Sequence, residues 1–314
     1  MDFRGRFGFA EYNSDTYSPI AFNPLVTVAG IAADNDIKTM ATIIVYLQMF
    51  DWIFASHKGV ISTPRGRSYE GGKLNPSSQS IHPMLWLLTG EGETENYSRK
   101  DCIMLILAME SGLKIPEVMF EVADMLKHGS YEMRERFSIS SDTDEASSEN
   151  IGFESPEDCI FWFGNGAYFT PTTGRCIFIV GDAYNLWDRH PIWKQIKIAL
   201  PIYHTDPFII DTIASAVAPF GRGPLLGRSN VYTYRTPEYM MSSVQNYHGG
   251  MTAGQQHSWQ LTMDPEVTKS VFTTQPTDHS YKHDTYWVGG VLPKIGQFKN
   301  TLIGKNEVSG WLAL

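Results

Sequence analysis

The spacing of apolar residues changes once along this chain, and the change limits the folds that it can adopt. Up to about residue 215, apolar residues recur every three or four positions, which is typical of helices that bury one face. After the Gly- and Pro-rich stretch 219–227, segments such as 229–236 alternate apolar and polar residues, as half-buried strands do. The sequence therefore predicts an α+β chain, with a helical domain at residues 1–220 and an antiparallel β domain at residues 221–314.

The clearest predicted helix runs from Asp36 to His57, with apolar residues at helical spacing and Gly59 as its stop. Further helices are predicted at about 24–33, 98–112, 116–129, 192–200 and 206–218. Helices paired through short connections favour stacked helical hairpins, arranged as a toroid or as a bundle. The polar and acidic segment 138–150 predicts a mobile surface loop.

Charge and hydropathy exclude some classes of partner. The formal net charge of −9 argues against a nucleic-acid surface. The first 15 residues lack the apolar core of a signal peptide. The apolar stretch 40–56 is short and carries Gln48 and Asp51, which favours a buried helix over a membrane span. We therefore expect neither a nucleic acid nor a membrane as partner, while oligomeric state and cellular location stay open.

The cysteines and the short motifs predict neither a cofactor nor a metal. The three cysteines show no disulfide or metal-ligand spacing and are interpreted as buried thiols; they are Cys102, Cys159 and Cys176. The sequence has no phosphate-binding loop, no dinucleotide fingerprint and no paired-histidine zinc motif. Candidate chemistry must therefore come from ordinary polar side chains.

The first candidate stretch is EYNSDTY, residues 11–17, which packs two carboxylates, an amide and two phenols into seven residues. In a functional interpretation, Glu11 or Asp15 supplies acid–base chemistry while Asn13 and Tyr17 position a polyol. In the alternative interpretation the stretch is a turn, whose Asn, Ser and Asp side chains bond to their own backbone.

The second candidate stretch is SHKGVISTPRGRSYEGG, residues 56–72. His57 would end the long helix, where the helix dipole favours a cationic imidazole. Arg65 and Arg67 are suited to hold a carboxylate, because guanidinium is a planar two-pronged donor. Tyr69 could transfer a proton if that positive field lowered its pKa. The alternative is an exposed loop whose arginines pair with some of the 34 acidic residues.

Two further stretches offer aromatic and imidazole groups. In residues 161–171, Trp162 with Tyr168 could form a sugar platform, and the glycines around Asn165 permit close backbone approach. The alternative is a packed aromatic turn. In the alternating segment 254–262, His257 is either a binding residue or a satisfied structural histidine.

Segments 8–20, 56–71, 161–171 and 234–263, in this order, resemble a group of microbial and fungal proteins with an α/α toroid followed by a β-sandwich. That architecture is similar to heparinase-type polysaccharide lyases and related toroid glycosidases. The resemblance implies a helical-hairpin toroid-like part followed by an antiparallel β-sandwich part, with a cleft at the toroid loops that grips an acidic polysaccharide. Such an architecture needs considerably more than 314 residues, so the resemblance also implies an incomplete toroid and a truncated β part.

The resemblance further implies β-elimination, in which a base removes the proton beside a uronate carboxylate while a donor neutralises that carboxylate. The implied catalytic residues are Glu11, Tyr17, His57 and Tyr69. The implied substrate-binding residues are Asn13, Arg65, Arg67, Trp162, Asn165 and His257. One alternative is a glycoside hydrolase that pairs Glu11 with Asp15 or Glu70. Another is a glycan-binding scaffold without catalysis. All these functions require residues 11–17 and 56–72 to converge.

Overall fold

The computed structural model describes residues 1–9, 11–92, 99–140, 143–164, 173–221, 228–245, 257–263, 270–273 and 293–305. The α-helices are α1 (Asp2–Phe7), α2 (Tyr17–Ile31), α3 (Asn35–Ala55), α4 (Glu70–Leu74), α5 (His82–Thr89), α6 (Arg99–Glu110), α7 (Glu117–His128), α8 (Thr143–Ser148), α9 (Pro156–Gly164), α10 (Cys176–Ala183), α11 (Pro191–Ile196), α12 (Leu200–Thr205) and α13 (Pro207–Gly221). The strands are β1 (Ser56–His57), β2 (Val60–Ile61), β3 (Tyr131–Phe137), β4 (Ser229–Arg235), β5 (Tyr239–Gln245), β6 (Trp259–Met263), β7 (Ser270–Val271), β8 (Lys294–Phe298) and β9 (Thr301–Lys305). The predicted mixture of helices and antiparallel strands is confirmed.

A first helical group, made of α2, α3, α5, α6 and α7, surrounds one apolar core. Helix α3 begins where the Asp34 carboxylate accepts hydrogen bonds from two backbone N–H groups of the first turn. It ends at Ala55, two residues before the predicted end, because Ser56 and His57 pair with Val60–Ile61 as a short hairpin. Buried side chains of this core include Val26, Val45, Trp52, Leu85 and Leu105.

A second helical group, made of α1 and helices from α8 to α13, has a core rich in aromatic rings. The predicted mobile loop at 138–150 is wrong for 143–148, which form α8, because Ala146 is buried in this core. Cys159 and Cys176 are buried free thiols, as predicted. The side chain of Cys102 lies outside the described part of the structure.

The main sheet has five antiparallel strands in the order β3-β4-β5-β6-β7. Its edge strand β3 comes from the segment predicted to be helical, and pairs with β4 from Tyr131↔Arg235 to Phe137↔Ser229. The sheet therefore takes residues from both sides of the predicted boundary at residue 220. Strand β3 was not predicted from the sequence, because its pairing partner lies about a hundred residues away and because charged residues occupy its outward positions.

The two faces of the sheet have different neighbours. On the outer face, the β8–β9 hairpin packs through Ile295 against Met241 and Trp259. On the inner face, polar residues of β4 and β6 meet the connection between α3 and α4. Arg235 Nη1 donates to the Ser56 carbonyl at 3.0 Å, and Gln260 Nε2 donates to the Ile61 carbonyl at 3.4 Å. This inner face supports the candidate site.

Helix α3 is long and apolar enough to cross a membrane by length and composition alone. Core helices of soluble proteins pass the same test, and one face of α3 is buried through Val45, Met49 and Trp52. The property therefore does not establish a membrane association.

Two carboxyl groups face each other across the interface between α3 and β3. Burial raises the pKa of Asp51 to about 7. Burial, with added repulsion from Asp51, raises the pKa of Glu135 to about 8. Between about pH 4 and pH 8 the folded protein therefore holds more protons on these groups than the unfolded chain does, so their contribution to stability falls as pH rises through this window.

We expect Glu135→Gln to be more stable than the parent protein by about 1–2 kcal/mol at pH 9 and equal to it at pH 4, because glutamine carries no charge to bury. Urea unfolding at both pH values measures the difference. Glu132→Gln is the control, because Glu132 lies on the same strand with its side chain on the outer face. A stability difference that does not change with pH would contradict the assignment.

Candidate functional site

The two polar stretches converge, as expected from the sequence. Arg67 Nη1 donates to Glu11 Oε1 at 2.9 Å. The hydroxyls of Tyr17 and Tyr69 lie 2.7 Å apart. These contacts join residues more than fifty positions apart in the chain and place acid, base and cationic groups at one surface.

The backbone of each stretch explains how the groups meet. Asn13 adopts a left-handed conformation with φ of 50°, which asparagine tolerates better than most residues and which turns the chain into α2. The Tyr17 N–H donates to Ser14 Oγ at 3.0 Å, and Tyr17 is the first residue of α2. The Gly66 N–H donates to the Tyr12 carbonyl at 3.0 Å and sets the two stretches side by side.

Four side chains form a partly exposed set, called here the Arg67 cluster: Glu11, Tyr17, Arg67 and Tyr69. Arg67 Nη2 donates to Tyr69 Oη at 3.0 Å, and the guanidinium carbon lies 4.4 Å from the centre of the Tyr17 ring. The Arg67 and Glu11 side chains are 24% and 30% exposed. The cluster therefore offers a guanidinium, two phenols and a carboxylate that remain accessible to solvent.

The pKa values of Tyr17 and Arg67 are both raised in this cluster, for different reasons. The pKa of Tyr17 is raised by its hydrogen bond to Tyr69 and by burial, with the charge of Arg67 acting in the opposite direction. Burial disfavours the charged form of Arg67, but its pKa is raised overall by its hydrogen bond to Glu11 and by its neighbours. At neutral pH, Tyr17 is therefore a proton donor and Arg67 a fixed cation.

A second set lies beneath it and is called the Arg65 cluster: Asp15, Arg65, Ser68, His257 and Gln260. Arg65 is 0% exposed. Its Nη1 donates to Asp15 Oδ1 at 3.4 Å and to the Gly72 carbonyl at 3.2 Å, and its Nη2 donates to Gln260 Oε1 at 2.7 Å. Ser68 Oγ donates to Asp15 Oδ1 at 3.0 Å. This cluster ties both stretches to strand β6.

His257 completes the Arg65 cluster. Its backbone exchanges two hydrogen bonds with that of Arg65, at 2.9 and 3.1 Å. Burial, with the charges of Arg65 and Lys73, holds the pKa of His257 well below its ordinary value. The neutral ring lies with Nε2 at 3.0 Å from Gln260 Oε1 and donates to it.

The structure changes the roles expected for three binding candidates. Arg65 and His257 are buried, and their side chains make their hydrogen bonds inside the protein. They therefore hold the loop in place and present no group to a substrate. Asn13 is also buried, and its Nδ2 donates to Thr63 Oγ1 at 3.0 Å. Among the predicted substrate-binding residues that the structure describes, Arg67 is the one that is partly exposed.

His57 is neither at a helix end nor a cation, so that prediction is wrong. It lies buried in β1, beside Arg235. Burial, followed by the charges of Arg235 and Lys58, lowers the pKa of His57 to about 3. The hydrogen bonds and ion pairs of the Arg67 cluster among the described residues do not include His57.

The remaining candidates lie elsewhere. Trp162 is 1% exposed in the second helical core, where its Nε1 donates to the Gly152 carbonyl at 2.8 Å, so neither ring face is open to a sugar. This placement is the packed aromatic arrangement of the alternative interpretation. Asn165, Tyr168 and the side chain of Glu70 lie outside the described part of the structure.

Sequence reasoning missed the supporting residues Gln260 and Ser68. A signal for Gln260 was present, because alternation in WQLTM puts Gln260 and Thr262 together on one face, and both are fully buried. Two polar side chains on the core face of a strand indicate an internal polar partner. Arg65 is that partner.

No family model, no curated protein and no solved structure matches this chain. Among the described residues, no group of three or more His, Cys, Asp or Glu side chains could hold a metal ion. The Arg67 cluster presents a guanidinium, a carboxylate and two phenols, which can bind a carboxylate and move a proton.

Proposed function

We propose that the Arg67 cluster binds the carboxylate of a uronic acid and that the protein degrades an acidic polysaccharide by β-elimination. The observation that carries this proposal is one accessible guanidinium beside two phenol oxygens that are 2.7 Å apart. β-Elimination needs a cation to neutralise the uronate, a base for the adjacent C–H proton and an acid for the leaving oxygen. The cluster supplies one group for each need.

Arg67 neutralises the uronate carboxylate and stabilises the enolate-like charge that develops when the adjacent C–H bond breaks. Tyr69 Oη accepts a hydrogen bond from Arg67 Nη2 and lies 2.7 Å from the Tyr17 hydroxyl. We assign Tyr69, reacting as the phenolate, as the base that takes the C–H proton and becomes a neutral phenol. Tyr17, whose pKa is raised, gives its proton to the leaving glycosidic oxygen while the electron pair forms the new double bond.

The surrounding architecture carries the proposed site on connecting segments. The Arg67 cluster lies on the connection between α3 and α4 and on the start of α2, and the neighbouring Arg65 cluster meets the inner face of the sheet through Gln260. We place the helices within the toroid that the sequence resemblance implies, and the sheet with its β8–β9 hairpin within the implied sandwich. Binding loops on a rigid scaffold are a common arrangement for a functional site.

Hydrolysis by paired carboxylates is the second candidate, favoured by the accessible carboxylate of Glu11. Its proposed partner Asp15 is only 2% exposed and is occupied by Arg65 and Ser68. An inverting or retaining hydrolase needs two carboxyl groups that both reach the glycosidic bond. Elimination therefore fits the described side chains better.

We expect Arg67→Ala to weaken binding of uronate oligosaccharides about 10-fold or more, because a charge-assisted pair is lost, and to leave neutral oligosaccharides unaffected. Calorimetry measures both affinities. Arg134→Ala is a matched control, because Arg134 also donates to a glutamate (Glu132, 3.0 Å) and lies 5.0 Å from a tyrosine ring (Tyr232), on the outer face of the sheet. Equal losses for acidic and neutral sugars would contradict the role of Arg67.

The reaction type is tested by incubating the protein with polymers of galacturonate, glucuronate and mannuronate. Elimination raises ultraviolet absorbance, because each cleavage leaves an unsaturated sugar. New reducing ends without that absorbance would indicate hydrolysis. The absence of both signals would indicate a glycan-binding scaffold without catalysis.

A further inference from the structure

We propose that Glu11 is an internal competitor for the uronate site: its carboxylate occupies Arg67 in the free protein, and the substrate carboxylate displaces it. Glu11 thereby lowers the affinity of the site for acidic sugars. This inference rests on the proposed binding of uronate by Arg67, and assigns Glu11 a role other than acid–base catalysis.

Arg67 is held in place independently of Glu11. Its guanidinium packs on the Tyr17 ring and donates to Tyr69 Oη. Its chain neighbours are anchored as well, since Gly66 bonds to Tyr12 and Arg65 pairs with His257. When a ligand arrives, the guanidinium therefore stays where it is and the change falls on Glu11.

Glu11 is the more weakly held partner. Among the described residues, its carboxylate accepts one hydrogen bond, from Arg67 Nη1, and the charge of Arg4 acts on it without a hydrogen bond. Its backbone turn is closed separately, by the Ser14 N–H donating to the Glu11 carbonyl at 3.2 Å. A side chain that is 30% exposed can rotate into water without disturbing that turn. The ion pair can therefore open while the fold around it remains unchanged.

Displacement of Glu11 has a cost that the ligand must offset. In the free protein Arg67 Nη1 donates to Glu11 and Nη2 donates to Tyr69, so a ligand carboxylate gains the Nη1 donor only by replacing Glu11. Another anion compensates for the ion pair that is lost, because it forms an equivalent charge-assisted pair. A neutral hydroxyl offers no such compensation and leaves the pair closed. Glu11 therefore lowers the affinity of the site for the acidic ligands that have to displace it.

Calorimetry on the full chain tests the inference, with trisaccharides of galacturonate, glucuronate and mannuronate and with neutral maltotriose as probes. Glu11→Gln removes the competing charge and nearly preserves the size of the side chain. We expect it to bind the acidic probes about two- to five-fold more tightly, the range that corresponds to a solvent-exposed ion pair. Its gain should vanish in the Arg67→Ala background, because no anion position is then left to compete for.

Glu132→Gln is the matched control: Glu132 is also 30% exposed and pairs with an arginine at 3.0 Å, so the same net charge is removed away from the site. Equal gains in both variants would overturn the inference by showing a general charge effect. Unchanged or weaker binding in Glu11→Gln, confirmed with Glu11→Ala in case the first variant folds poorly, would overturn it as well. Failure of every acidic probe to bind the parent and both Glu11 variants would instead overturn the proposed function.

Discussion

Replacing Arg65 with methionine is expected to lower the free energy of unfolding by about 3 kcal/mol, the largest stability effect that we predict for a single substitution in this protein. The guanidinium is completely buried, and its removal leaves the Asp15 carboxylate and the Gln260 amide oxygen without their charged donor. Burial and the charge of Arg65 lower the pKa of Lys73 to about 7, so the loss of Arg65 favours a charged Lys73 that partly compensates Asp15. Urea unfolding measures the loss.

The controls separate burial from charge. Arg67→Met removes the same charge two positions away, from a partly exposed pair, and is expected to cost about 1 kcal/mol or less. The double variant Arg65→Met, Asp15→Leu should recover part of the loss, because no unpaired buried carboxylate remains. A loss at Arg65 no larger than that at Arg67 would show that the Arg65 cluster does not hold the loop.

Replacing Tyr69 with phenylalanine is expected to lower the rate of elimination about 10²- to 10⁴-fold, the range that a positioned acid or base contributes. Tyr69 Oη accepts from Arg67 Nη2 and lies 2.7 Å from the Tyr17 hydroxyl, so its removal takes away the proposed base and leaves Arg67 to bind substrate. The loss should therefore appear in kcat more than in KM. Product absorbance at saturating and limiting substrate measures both.

Tyr46→Phe is the control for Tyr69→Phe, because Tyr46 is a partly exposed tyrosine on α3 whose hydroxyl donates to the Lys114 carbonyl. It should leave the rate unchanged. Tyr17→Phe should reduce the rate by a similar order, since the proton for the leaving oxygen is lost. If Tyr69→Phe kept most of the rate, the base would have to be another group and the assignment of roles would fail.

Local patterns predicted the elements whose causes are local. The stretch from Asp36 onward forms a helix because its apolar residues have helical spacing and Asp34 caps it. The alternation in 229–236 forms a strand for a similar reason. Strand β3 was not predicted, because its partner β4 lies far along the chain and a pairing between distant segments leaves little trace in either one.

The sequence predicted some side chains of the site and also pointed to others that lie elsewhere. Glu11, Tyr17, Arg67 and Tyr69 were all candidates, and they are brought together. His57 and Trp162 were candidates as well, and they are buried in places that neither residue's neighbours in sequence reveal. Residue type identifies what chemistry a side chain can perform, whereas its access to a ligand depends on what packs against it.

By itself, the sequence determined helices such as α3 and strands such as β4, and it placed phenols, carboxylates and guanidinium groups in two short stretches. Only the tertiary structure decided that Arg65 is a buried support while Arg67, two residues later, meets solvent. The difference arises because Gln260, 195 positions beyond Arg65, and Asp15, 50 positions before it, close over one guanidinium and leave the other open. The burial that sets the energy and the accessibility of a charge is a property of these distant neighbours.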